Sequence, residues 1–97
     1  MSLSSSQRRH LKGLAHSLSP SVQVGANGLT EAVCKAVDVS LEAHELIKVK
    51  VGKDTGVDRK ADVYTLAKRS RSEVIAVIGR VWVLYRPRED DPRIQLP

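Results

Sequence analysis

The chain has 97 residues, 41% of them apolar, enough for one modest hydrophobic core and too few for two independently stable domains. Sixteen Lys and Arg against eleven Asp and Glu leave a net charge of +5, which points to nucleic acid, an acidic protein or an anionic membrane surface as partner. The single Cys34 excludes an internal disulfide, no run approaches the roughly 18 apolar residues of a membrane span, and the polar start Met1-Ser2-Leu3-Ser4 does not read as a secretory leader, so a cytoplasmic setting is expected.

The first predicted element is a helix from about Ser6 to Ser17. Serines offer caps before it, Leu11, Leu14, Ala15 and Leu18 recur at spacings of three and four, and Ser19-Pro20 ends it. Arg8, Arg9 and Lys12 lie opposite that apolar stripe, near His10 and His16, and no acid occurs before Glu31. A short strand follows at residues 22 to 24, then the turn Gly25-Ala26-Asn27-Gly28, then a helix over residues 30 to 44 capped by Thr30, with Val33, Val37 and Leu41 on one stripe.

Leu46 to Val51 is the clearest strand by its strict alternation, which turns Ile47, Val49 and Val51 to the core and Lys48 and Lys50 the other way. Residues 52 to 58 read as a loop, with Asp58 able to cap a third helix running to about Ser70. The apolar side of that helix is expected to hold Ala61, Val63, Tyr64, Leu66 and Ala67. Glu73 to Ile78 is nearly continuous in apolar residues, the pattern of a strand buried on both faces. Gly79-Arg80 turns it into a last strand, Val81 to Arg86, which Pro87 stops.

These elements predict one α/β (α+β) domain over residues 1–87, ordered α-β-α-β-α-β-β, with an irregular or draped tail over 88–97. Helix-linked strands should run parallel and the final hairpin antiparallel, giving a four-stranded mixed sheet with right-handed crossovers.

The glycine turn is the most informative segment. Two glycines let the backbone take positive φ and approach a partner with no Cβ in the way. The head of the next helix adds free N–H groups and the positive end of a dipole, a setting that favours an anion such as phosphate. The turn lacks the Lys-Ser/Thr ending of a nucleotide-binding P-loop, so a free triphosphate is not the expected ligand. Aromatics are limited to Tyr64, Trp82 and Tyr85, which argues against base stacking as the main mode and for backbone contact by Lys, Arg and main-chain N–H groups.

The candidate phosphate contacts are therefore Gly25, Ala26, Asn27 and Gly28 in the turn, Arg8, Arg9 and Lys12 on the first helix, and Lys48 and Lys50 on the second predicted strand. Arg80 and Arg86 on the hairpin are added as weaker members. Each cation has a plainer reading as part of a solvated face. The three histidines and Cys34 show no metal-ligand spacing, and no metal, cofactor or catalytic residue is assigned. Trp82 reads as sheet packing and Cys34 as a small core residue.

Several stretches together resemble a known family. They are Leu11-Lys12-Gly13-Leu14-Ala15-His16, Val22 through Thr30, His44 through Lys50, Val77-Ile78-Gly79-Arg80 and Leu84-Tyr85-Arg86-Pro87. In this order, over roughly residues 6 to 87, they resemble the YhbY-type single CRM domain, named for chloroplast RNA splicing and ribosome maturation. The resemblance implies an RNA-binding domain similar in fold to the C-terminal domain of translation initiation factor three. It implies, for stand-alone bacterial members, a role in assembling the large ribosomal subunit, and plant relatives carry the domain in group II intron splicing factors. The Gly-x-x-Gly loop and a neighbouring basic surface are the implied RNA contacts, which fall here on Gly25 to Gly28. Ala26 stands where many relatives have Lys, so backbone N–H groups and nearby cations would carry more of the contact.

The leading expectation is a non-catalytic protein that binds ribosomal RNA in large-subunit precursors. A DNA-binding or nucleoid protein is the alternative, and a small RNA-processing hydrolase using Asp54, Asp58, Asp62 or a histidine a further one that lacks a nucleophile or metal set beside those carboxylates. The first helix could also cover part of the sheet face that carries Lys48 and Lys50.

Overall fold

Ser4 opens the first helix in the computed structural model, which describes residues 2–97. Its Oγ accepts the Gln7 N–H while the Gln7 side chain accepts the Ser4 N–H, a reciprocal cap that starts α1 at Ser5 and carries it to Ala15. The helix stops short of Ser17 because its last turn tightens: the His16 N–H donates to the Gly13 carbonyl and the Leu18 N–H to the Ala15 carbonyl. The remaining elements are β1 (Val22–Val24), α2 (Glu31–His44), β2 (Leu46–Val51), α3 (Asp62–Ser70), β3 (Glu73–Ile78) and β4 (Val81–Tyr85).

The fold is a single α+β domain with a four-stranded mixed sheet in the order β1-β2-β4-β3. β1 pairs parallel with β2, placing Val22 beside Val49 and Gln23 beside Lys50. β4 runs antiparallel to both of its neighbours, with Lys50 opposite Val81 on one side and Ile78 opposite Val81 on the other. β2 and β3 thus share a direction, yet β4 lies between them.

That insertion corrects the reading of β3. Its apolar run predicts a strand covered on both faces, but it is the sheet edge; none of its residues is fully buried, and Ile78 is 52% exposed. The register shifts between Val74 and Ala76, a bulge of the kind that disrupts an edge.

Two apolar clusters sandwich the sheet. On one face α2 and α3 bring Val37, Leu41, Val63, Leu66 and Ala67 onto Val22, Val24, Ile47, Val49, Val51, Trp82 and Leu84. On the other, Leu11 and Ala15 of α1 pack on Leu46, Val83 and Tyr85, joined by Ile94 and Leu96 from the C-terminal segment. Leu14 and Leu18, expected in the α1 stripe, instead line an open groove of about 500 Å³ with His44, Leu46, Ile47 and Ile94.

α3 also departs from expectation at two points. Asp58 does cap, but it caps the turn before the helix: its Oδ1 accepts the Lys60 and Ala61 N–H groups, and its own N–H donates to the Asp62 carboxylate. Ala61, at the N-cap, and Tyr64, 63% exposed, both face solvent, because Val63, Leu66, Ala67 and Ser70 form the buried stripe.

Glu45 was not singled out by any sequence pattern. It joins α2 to β2 with φ of +65°, a conformation costly for a residue with a side chain. It is 1% exposed, and its carboxylate accepts the N–H groups of Arg88, Arg93 and Ile94 at 2.7 to 3.0 Å. Burial pushes this carboxyl up, but the donors on Arg88, Arg93 and Ile94, with the Arg88 charge, outweigh it and hold it below its ordinary value. The segment after Pro87 is irregular, as its composition predicts, and this carboxylate holds it against the α1 side of the sheet.

Candidate nucleic-acid interface

The glycine turn sits where β1 hands over to α2. The Gly28 N–H donates to the Gly25 carbonyl at 3.0 Å, closing a four-residue turn, and Gly28 takes φ of +71°. Thr30 then caps α2 by accepting the Val33 N–H on its Oγ1 at 3.2 Å. The two glycines are not equivalent. Gly28 is buried and its conformation demands glycine, whereas Gly25 lies outside the positive-φ region and a Cβ added there would meet nothing within 4 Å. Ala26 and Asn27 form the exposed tip.

The strand register gathers further groups at this end. The Gly52 N–H donates to the Val24 carbonyl, so the loop after β2, with Lys53, borders the glycine turn. The Val51 N–H donates to the Arg80 carbonyl, which brings the β3–β4 turn alongside. Lys53 carries no motif of its own. Its signal was available, since a parallel pairing of β1 with β2 puts the ends of both strands side by side.

Lys48 and Lys50 share the α1 side of the sheet with Leu46, as the period of two requires. α1 covers only the part of that face nearest Leu46 and Tyr85. Lys48, at the border of the covered part, is half-buried and donates from Nζ to the His16 carbonyl at 3.5 Å. Lys50 is exposed between Gln23 and Val81.

Around the α1 axis, at 100° per residue, Leu14 falls on the flank that borders the groove with His44 and Ile94, and Arg9 and Lys12 fall on the other. Both cations are exposed; Lys12 borders the open part of the sheet, and Arg9 stands next to it on the outward side of the helix. No ion pair ties Arg9, Lys12, Lys48, Lys50, Lys53 or Arg80 to an acid among the described residues. An open patch of like charge of this kind is stabilised when an anion arrives.

Two candidate cations are placed elsewhere. Arg8 anchors α1 to the edge strand, donating from Nη1 to the Val74 carbonyl at 2.8 Å and pairing with Glu73 at 3.4 Å. Arg86 lies at the opposite end of the sheet. Its Nη1 donates to Asp38 at 2.7 Å and to the Ser70 carbonyl at 2.8 Å, Nη2 lies 3.5 Å from Glu42, and the side chain is 15% exposed. Both guanidiniums brace the fold.

Two of the three carboxylates of the hydrolase alternative, Asp58 and Asp62, are engaged locally. Asp58 is held below its ordinary value by the Lys60 and Ala61 N–H groups, and Asp62 accepts the Asp58 N–H. Among the described residues no three of His, Cys, Asp and Glu gather as a metal site. Glu31, at the head of α2, is drawn toward α3 by Arg69 at 2.6 Å, and this bond raises the Arg69 pKa.

A mixed sheet sandwiched by three helices, with an exposed glycine turn at a strand-to-helix junction and a cationic open face beside it, defines a small α+β domain. The chain belongs to the CRS1/YhbY (CRM) domain family, whose model matches residues 3–86. It is 44% identical over 98 residues to a Haemophilus influenzae protein named RNA-binding protein, an alignment covering 98% of this chain and 95% of the relative. It is 38% identical over 95 residues to the Bacillus subtilis protein named Probable RNA-binding protein YqeI, covering 98% and 99% of the two chains. Among solved structures it is similar to SAV1595 from Staphylococcus aureus, a hypothetical protein described as a suspected RNA binder. That match has a TM-score of 0.82 and 39% identity, and covers 99% of this chain and 100% of the other.

Proposed function

We propose that this protein is a non-catalytic RNA-binding protein that engages ribosomal RNA in precursors of the large ribosomal subunit. The observation that carries the reading is the patch formed by Arg9, Lys12, Lys48, Lys50, Lys53 and Arg80, without an acidic partner among the described residues, beside a glycine turn with an open tip. The names of the relatives support RNA as the partner, and the family resemblance supports the ribosomal setting.

Capture would be electrostatic and therefore steeply salt-dependent. The turn at Gly25 to Gly28 and the head of α2 would then dock against phosphates and 2′-hydroxyls, with backbone N–H groups supplying what Ala26 cannot. Arg8 and Arg86 have no part in this contact, because their guanidiniums are held within the fold.

Sedimentation of a cell lysate at low and high salt, followed by RNA crosslinking, tests the proposal. Co-migration with large-subunit precursors, release by salt and crosslinks near Gly25 to Gly28 are the expected results. Migration only as free protein, with no crosslinked RNA at either salt, would overturn it.

A further inference from the structure

We propose that the outer stripe of α3, formed by Lys60, Tyr64 and Lys68, is a second RNA-contact surface that takes an unpaired segment by stacking a base on Tyr64. This rests on the RNA-binding reading above and adds a contact that reading does not use.

Trp82 and Tyr85 are 0% and 2% exposed, so Tyr64 at 63% is the one Tyr or Trp ring that solvent reaches. Lys68, in the last turn of α3, stands four residues after it on the same side of the helix, and Lys60 stands on the capping turn that precedes the helix. The Cβ atoms of Lys68 and Tyr64 lie about 6 Å apart, and Lys60 lines the cleft beyond the N-terminal end of the helix. Neither lysine forms an ion pair among the described residues.

The acids nearby point elsewhere. Asp62, the acid within α3, lies about 160° around the axis from Tyr64 and accepts the Asp58 N–H. Arg69, about 140° from Tyr64, holds Glu31 of α2, which places the stripe on the flank turned from α2. That flank borders the β3 edge: a cleft of about 340 Å³ is lined by Asp58, Arg59, Lys60, Val77 and Gly79. Asp58 is the one carboxylate there, and its Oδ1 already accepts two backbone N–H groups.

The cleft leads from the stripe to the Gly79-Arg80 turn, and so to the end of the sheet that bears the glycine loop. An aromatic ring with a cation on either side suits a single strand, whose bases are free to stack while its phosphates meet the lysines. A duplex hides its base faces, and an acidic polypeptide would gain nothing from the exposed ring.

The test measures binding of a labelled oligoadenylate RNA and of a hairpin duplex RNA to the full chain and to Tyr64→Ala, Tyr64→Phe, Lys60→Gln, Lys68→Gln and Gly25→Leu variants. Tyr64→Ala is expected to weaken oligoadenylate binding about five- to hundredfold, to leave the hairpin unaffected, and to be rescued by Tyr64→Phe. Each lysine variant should reduce the salt slope for the single strand by about 0.7, and Gly25→Leu should lose the hairpin. Equal oligoadenylate binding by Tyr64→Ala and the unaltered chain would overturn the second surface alone. So would an equal loss on both RNAs, or polyglutamate displacing the oligoadenylate at matched charge. An unaltered chain that binds neither RNA would overturn the underlying RNA reading as well.

Discussion

Gly25 and Gly28 can be separated by experiment because only one of them is glycine for the sake of the fold. Gly28 holds φ of +71°, and a Cβ there would rest 3.7 Å from the Thr55 carbonyl oxygen and from Val57, so space permits alanine while the backbone opposes it. A left-handed conformation costs a residue with a side chain about 1–2 kcal/mol. In a chain of this size each kcal/mol shifts Tm by about 4–8 °C, so Gly28→Ala should lower Tm by about 4–16 °C.

Gly25 carries no such constraint, and Gly25→Ala should leave Tm unchanged or raise it slightly through the loss of unfolded-state freedom. A bulky Gly25→Leu change should still fold yet hold RNA off the turn. Losing one charge-assisted hydrogen bond costs about 1.5–3 kcal/mol, which corresponds to about ten- to hundredfold in affinity. Thermal denaturation paired with RNA titration reads both effects. A folded Gly25→Leu variant with undiminished affinity would refute close backbone approach at this turn.

The Glu45 latch makes the C-terminal segment acid-sensitive. Its carboxyl is held below the ordinary value, so its stabilisation is complete above the ordinary carboxylate range and is lost as pH falls through the lowered folded-state value. Protection of the Arg88, Arg93 and Ile94 amides, measured as exchange relative to the intrinsic rate at each pH, should fall on acidification, and Glu45→Gln should lower it at neutral pH; protection that ignores pH in the parent chain would refute the latch. Arg86→Ala should destabilise the domain by about 1–3 kcal/mol in chemical denaturation without altering RNA affinity, and Lys50→Gln should do the reverse. Leu11→Ala removes a fully buried side chain from beneath α1 and should cost about 2–5 kcal/mol; a smaller loss would mean that α1 is not clamped to the sheet.

Local pattern made much of this molecule legible. Alternation along Leu46 to Val51 and the spacing of Val33, Val37 and Leu41 report which atoms meet the core one or two turns away, and the structure places those residues accordingly, with Val33 at the margin of the core. What sequence pattern hides are relations across the fold. The apolar run of β3 is the same whether β4 pairs inside it or outside it, and only the insertion of β4 makes it an edge. Tyr64 stands beside Val63, and a rotation of about 100° separates a core position from an exposed one. Glu45 finds its partners 43 to 49 residues away, beyond the reach of any motif. Arg8 and Arg86 look like free cations in a basic sequence, and only tertiary structure shows the carbonyls they hold. The glycine turn stands out because its backbone needs and the contact proposed for it fall in the same four residues.

The most direct test of the central claim is a titration of the isotope-labelled protein with a fragment of large-subunit ribosomal RNA, followed by amide NMR. The account predicts that shifts concentrate on Gly25 to Gly28, Lys48, Lys50, Lys53, Arg80 and the Lys12 flank of α1, and that they collapse as salt rises. Saturable shifts confined to the Asp38, Glu42 and Arg86 end, with the glycine turn unmoved, would contradict it.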